Sequence, residues 1–180
     1  MKKALILIDI QNDYFPNGNM ELVNSIQAGQ NARTILNKFR KNNDLVVHIQ
    51  HIAAQPEATF FIPDTYGVEI HDLVKPEANE KVIIKHYPNS FQETGLLEYL
   101  KANHIEQLVI AGMMTHMCVD ATSRAAKDFG FPIEIIGDAC ATRDLEIDNK
   151  VAKAEDVQTA FLSALKFYYA DIIKTANYLN

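Results

Sequence analysis

The chain has 180 residues, 48% of them hydrophobic, with a formal net charge of −6, two cysteines and no tryptophan. That size and apolar content suit one domain over residues 1–180 with a full core. An acidic balance with no basic block argues against nucleic-acid binding, which depends on neutralising phosphates. No apolar stretch approaches the roughly 18 residues of a membrane span. Two cysteines are too few for a disulfide scaffold, so a reducing cytoplasm and small-molecule partners are expected.

Met1-Lys2-Lys3 and the apolar run Ala4 to Ile8 imitate the start of a signal peptide, but Asp9 closes the run short of the roughly 7–15 residues such a segment needs. The run is a first strand, followed by a helix over about Asn24 to Lys41, in which Gly29 is a weak point. Leu45 to Ile49 is the second strand. Between Ala53 and Glu80 the rhythm stops: Pro56, Pro63, Gly67 and Pro76 punctuate a segment too long for an ordinary connection, as lids and binding loops are. The pattern resumes with strand Val82 to Ile84, a helix over about Glu93 to Ala102, strand Leu108 to Ala111 and a helix from Cys118 to Phe129. Strand Ile133 to Ile136, a helix over about Lys153 to Tyr168 and a weaker Ile172-Ile173 complete it. Strands alternating with helices imply a parallel sheet covered on both faces.

Ligands of such sheets bind beyond the carboxyl ends of the strands. The first strand delivers Asp9 and Gln11-Asn12-Asp13 to that edge, the second Gln50-His51, the third Lys85-His86, and the fourth the turn Gly112 to Cys118. Cys118 falls on the first turn of its helix, where unpaired N–H groups and the helix dipole favour a thiolate. A thiolate nucleophile needs a proton acceptor and a positive neighbour, and Asp9 and Lys85 offer both. Each alone also suits a structural role: a packed cysteine, a turn aspartate, a solvated lysine. His116 competes as a base, but two residues from Cys118 at a helix start its side chain points about 200° away. His48 and His51, three apart on a strand, face opposite sides and do not share a metal. No Cys-x-x-Cys or His-Glu-x-x-His set occurs, and no Gly-x-Gly-x-x-Gly follows the first strand, which disfavours metal and nicotinamide-cofactor chemistry.

Asp9-Ile10-Gln11-Asn12-Asp13-Tyr14-Phe15, Val82-Ile83-Ile84-Lys85 and Gly112-Met113-Met114-Thr115-His116-Met117-Cys118-Val119 together resemble the isochorismatase-like cysteine hydrolase family. The resemblance extends through 59–70 and Asp138-Ala139-Cys140-Ala141-Thr142. It implies a Rossmann-like three-layer α/β/α fold with a six-stranded parallel sheet in order 3-2-1-4-5-6, and a triad of Asp9, Lys85 and Cys118. It also implies an oxyanion hole from the backbone N–H groups of Met114 and Cys118, a cis Met113–Met114 peptide, and a homo-oligomer. The apolar, aromatic segment Phe167-Tyr168-Tyr169 agrees with that last expectation.

Nicotinamidases of the family carry a metal-binding Asp-x-His after the second strand, where this chain has His51 and Ala53. Nicotinamide and a metal cofactor are therefore not expected. In isochorismatases of the family the nucleophilic cysteine is typically absent, so Cys118 favours hydrolysis of an amide-type C–N bond in a small molecule through a thioester. Phe15, His51, Phe60, Phe91 and Thr115 are the expected substrate contacts, and Cys140 is expected to be a packed small residue. The alternatives are a redox-active thiol protein, which would need a resolving partner such as Cys140, and a non-catalytic member of the fold.

Overall fold

A computed structural model describes residues 1–180. Five strands follow the sequence pattern: β1 (Lys3–Ile8), β2 (Leu45–His51), β3 (Lys81–Lys85), β4 (Gln107–Met113) and β5 (Ile133–Ala141). A short antiparallel hairpin, β6 (Leu145–Ile147) and β7 (Lys150–Ala152), comes next, before β8 (Asp171–Ile173). The main sheet is parallel throughout, in order β3-β2-β1-β4-β5-β8. This is the expected 3-2-1-4-5-6, with β8 as the sixth strand. The hairpin was not foreseen, because strands of three residues are too short for a period to stand out in the sequence.

The strands read as nearly continuous apolar runs because both sheet faces are covered. Two buried clusters of similar size, 22 and 21 residues, divide alternate side chains: Leu5 and Leu7 go to one, Ala4, Ile6 and Ile8 to the other. Helix α1 (Ser25–Asn42) covers the first face with Ala28, Ala32, Ile35, Leu36 and Phe39, the stripe of a helix packed on one side. Asn43 ends it in a left-handed conformation, its N–H returning to Arg40 and Phe39. Gly29, the weak point of this helix, is where α1 meets its neighbours: a Cβ there would crowd the Leu73 side chain and the Phe15 ring. Helices α2 (Leu96–Ala102), α3 (Asp120–Asp128) and α4 (Ala154–Tyr168) lie over the second face, and a short α5 (Thr175–Leu179) closes the chain.

Two helix starts differ from expectation. Helix α2 begins at Leu96 rather than near Glu93, because Glu93 is left-handed (φ 53°) and the Thr94 hydroxyl bonds back to the Ser90 carbonyl, forming a turn. Helix α3 begins at Asp120, preceded by a π turn over Thr115–Val119 that contains Cys118. The long segment after β2 holds two 3-10 turns, Tyr66–Val68 and Asp72–Val74. No helix is long and apolar enough to cross a membrane.

Candidate active site

Strand register gathers the site. Ile8 pairs with Ile49 on one side and Gly112 on the other, and His51 pairs with Lys85, so β1, β2, β3 and β4 end at nearly one level. Gly112 has φ 144°, and a Cβ there would collide with the Ile8 backbone. Only glycine therefore lets β4 lie this close to β1 at the site. Asp9 leaves β1 in a left-handed conformation (φ 49°), an uncommon state for a non-glycine residue that concentrates at functional sites. The Met113–Met114 peptide is cis.

Lys85 is the hub. Its Nζ lies 2.7 Å from Asp9 Oδ2, 3.0 Å from His51 Nδ1, 3.1 Å from the Tyr87 carbonyl and 3.3 Å from Cys118 Sγ. Asp9 is fully buried, Lys85 is 1% exposed and Cys118 6%. The Asp9–Lys85 contact is an ion pair whose alignment falls short of a hydrogen bond, so both Asp9 oxygens are sealed from solvent without an aligned donor. They remain able to accept a proton.

The electrostatics revise one expectation. Burial pushes the Cys118 thiol well above its usual range, and the adjacent Asp9 charge adds to the rise. Lys85 pulls the other way and is outweighed. The resting sulfur is therefore a thiol, not the thiolate that a helix-start position suggested. Burial pulls the Lys85 ammonium down, but Asp9 and Cys118 more than restore it, so it stays charged. His51 is held at about 4, first by burial and then by Lys85, and is neutral at pH 7.

His116 turns away as its spacing predicted, its Nδ1 2.6 Å from the Thr142 hydroxyl and its ring against Phe161. His48 faces the opposite side of β2 from His51 and meets Glu80 at 2.9 Å. Cys140 is buried, its S–H directed to the Ile136 carbonyl, and both cysteines are free. Among the expected substrate contacts, His51 is in the cluster and half-buried Phe60 lies against Tyr14 and Phe61. Phe15 stacks on His71 at 3.7 Å, and Phe91, a member of the second core cluster, packs on the exposed Phe129. The Thr115 hydroxyl is buried between the Ala141 carbonyl and Gln158. The aromatic ring beside His51 is Phe61, at 5.8 Å. A cleft of about 1080 Å³ opens elsewhere, between α1 and α4, and none of Asp9, His51, Lys85 or Cys118 lines it.

Sequence reasoning missed the work of Gln11, Asn12 and Asp13. Gln11 is fully buried and clamps the His51 backbone from both sides, accepting its N–H at 2.7 Å and donating to its carbonyl at 2.9 Å. Gln11 also reaches the Val68 carbonyl, Asn12 donates to the Tyr66 carbonyl, and Asp13 accepts the Phe61 N–H. Together they pin the long segment over the site. The signal was their place in the motif after β1, which does not say what a buried amide holds.

Asp9, His51 and Cys118 each offer a metal-ligand atom, all within 4.8 Å of one another. The set does not suit the metal of the family's nicotinamidases: Ala53 supplies no ligand, and the Lys85 ammonium already stands among the three.

These features define a doubly wound α/β protein with a buried thiol, carboxylate and ammonium beyond the carboxyl ends of its central strands. The family model for the isochorismatase domain matches residues 3–176, and the chain belongs to the isochorismatase family. It is 48% identical to the uncharacterized isochorismatase family protein YddQ of Bacillus subtilis, over 99% of both chains. A crystal structure from Oleispira antarctica, attributed to an isochorismatase hydrolase, is 41% identical with a TM-score of 0.95, covering 99% of this chain and 96% of the other. A streptothricin hydrolase of Streptomyces noursei is 34% identical over 79% of this chain and 51% of its own length.

Proposed function

We propose that the protein is a cysteine hydrolase that cleaves an amide-type C–N bond of a small molecule through a thioester on Cys118. The observation that carries this reading is the Lys85 ammonium in contact with both the Asp9 carboxylate and the Cys118 sulfur, all three buried. Family membership supports a hydrolase, and the streptothricin hydrolase likeness supports an amide-type bond.

A thiol this hard to ionise attacks only if its proton leaves as the new bond forms. Asp9 accepts that proton while Sγ adds to the substrate carbonyl. The oxygen takes the negative charge, facing the backbone N–H groups of Met114 and Cys118. Collapse breaks the C–N bond, and Asp9 returns the proton to the departing ammonia or amine. Water then gives a proton to Asp9 and adds to the thioester; collapse releases the carboxylic acid, and the sulfur recovers its proton from Asp9. The sum is amide plus water to acid plus amine. Lys85 remains protonated, fixing the carboxylate and stabilising negative charge as it moves between oxygen and sulfur.

Ammonia release across a panel of small amides, ureides and carbamates tests the scheme, with Cys118→Ala as control. Turnover by the wild type and its loss in Cys118→Ala are expected, and an active Cys118→Ala protein would sink it.

A further inference from the structure

The four contacts of Lys85 dictate the state of His51. An ammonium only donates, so His51 Nδ1, at 3.0 Å, must accept. The neutral ring then carries its hydrogen on Nε2. Nε2 has no protein partner among the side-chain hydrogen bonds of His51, which end at Nδ1. It is also not one of the side-chain atoms sealed from solvent without a hydrogen-bond partner, which are Asp9 Oδ1 and Oδ2, His48 Nδ1 and Ser123 Oγ. A donor of fixed identity thus stays unpartnered and accessible on a ring whose other nitrogen touches Lys85. The His51 backbone is held from both sides by Gln11, and the Phe61 ring flanks the imidazole.

We propose that His51 Nε2–H is a specificity-determining donor, selecting amides that carry a hydrogen-bond acceptor on the atom next to the scissile carbonyl. One ring nitrogen of His51 lies within 4.8 Å of Cys118 Sγ. A carbonyl carbon poised for attack stands about 3–3.5 Å from the sulfur. An imidazole this near the sulfur brings a group attached directly to the scissile carbon within reach of its free N–H. A 2-oxo, 2-hydroxy or acylurea-type oxygen fits; an alkyl group leaves the donor without a partner. Sites built to bond a polar group reject analogues that lack it far more strongly than apolar pockets reject a missing methylene. The value of about 4 for the imidazole agrees with a neutral donor at physiological pH.

The proposal rests on the hydrolase reading above, so its test has two arms. In the first, kcat/KM is measured for pyruvamide and for isobutyramide, alike in shape but differing in the 2-oxo group. His51→Asn keeps an acceptor for Lys85 where Nδ1 stands and deletes the donor at Nε2. The wild type is expected to prefer pyruvamide, and the ratio of the two kcat/KM values to fall by about tenfold or more in His51→Asn. An unchanged ratio would overturn the proposal. The second arm needs no turnover: nitrogen-15 spectra of the histidines are recorded on Cys118→Ala protein with each amide added. His51 should show a bare Nδ1 and a protonated Nε2, with Nε2 shifted by pyruvamide and not by isobutyramide. A hydrogen on Nδ1, or equal response to both amides, would reject the assignment. Absence of turnover with every amide would reject the hydrolase reading alone, leaving the spectra to decide the role of His51.

Discussion

Replacing Lys85 with methionine tests the electrostatic core of the site directly. The side chain keeps nearly its length and loses its charge, leaving the fully buried Asp9 carboxylate without a counter-ion. Removing one member of a buried ion pair costs about 3–5 kcal/mol, a large share of the roughly 5–15 kcal/mol that holds a domain together. Urea unfolding followed by circular dichroism at neutral pH should show that deficit. Adding Asp9→Asn to Lys85→Met removes both charges and should recover most of the loss, since replacing a whole buried pair is often neutral. A single-variant deficit under about 1 kcal/mol, or a double variant as unstable as the single, would refute this account of the hub.

Asp9→Asn alone separates the two roles given to the carboxylate: kcat should fall by about 10²- to 10⁴-fold with substrate binding largely kept. The same change removes one of the causes that raise the Cys118 thiol, so its ionisation, followed by the ultraviolet absorbance of the thiolate, should move to lower pH than in the wild type; an unchanged or higher value would contradict the charge assignment. For Glu80, burial raises the carboxyl, but the Arg40 hydrogen bond, the Glu77 N–H and His48 outweigh it and hold the group at about 2. Its folded value lies below the ordinary 4.5, so its stabilisation is complete above that range and is lost as pH falls toward 2. The gap in urea midpoint between wild type and Glu80→Gln should narrow across that window, and a gap that widens with acid would reverse the reasoning.

The parallel sheet was legible because its strands are apolar on both faces, and no other arrangement buries Ala4 to Ile8 or Leu108 to Ala111 so completely. Asp9, His51, Lys85 and Cys118 were legible as a group because each ends or closely follows one of those runs. The strand order came from the family resemblance, and the register that levels the four ends is visible only in three dimensions. The state of the sulfur was misjudged because a helix-start position reports backbone dipoles and says nothing of burial or of the distance to Asp9. Gln11 stayed unread for a related reason: an amide after a strand serves equally as surface, cap or clamp, and the His51 backbone that it grips lies 40 residues away in sequence.

Lys85 gives the cluster its logic. Asp9, His51 and Cys118 form a ligand set of the kind that holds a divalent cation, and an ammonium stands among them within 3.3 Å of each. A metal at that point would have to displace a charge that the chain itself supplies, and it would bind the sulfur as thiolate and remove it from nucleophilic work. The tethered ammonium carries a single charge and forms no lasting bond to sulfur. In the proposed mechanism it therefore orients the thiol and carboxylate without trapping either, leaving a proton free to pass between them. The same ammonium fixes which nitrogen of His51 bears hydrogen. On the proposed reading, one buried side chain links the reactivity of the sulfur to the kind of group accepted beside it.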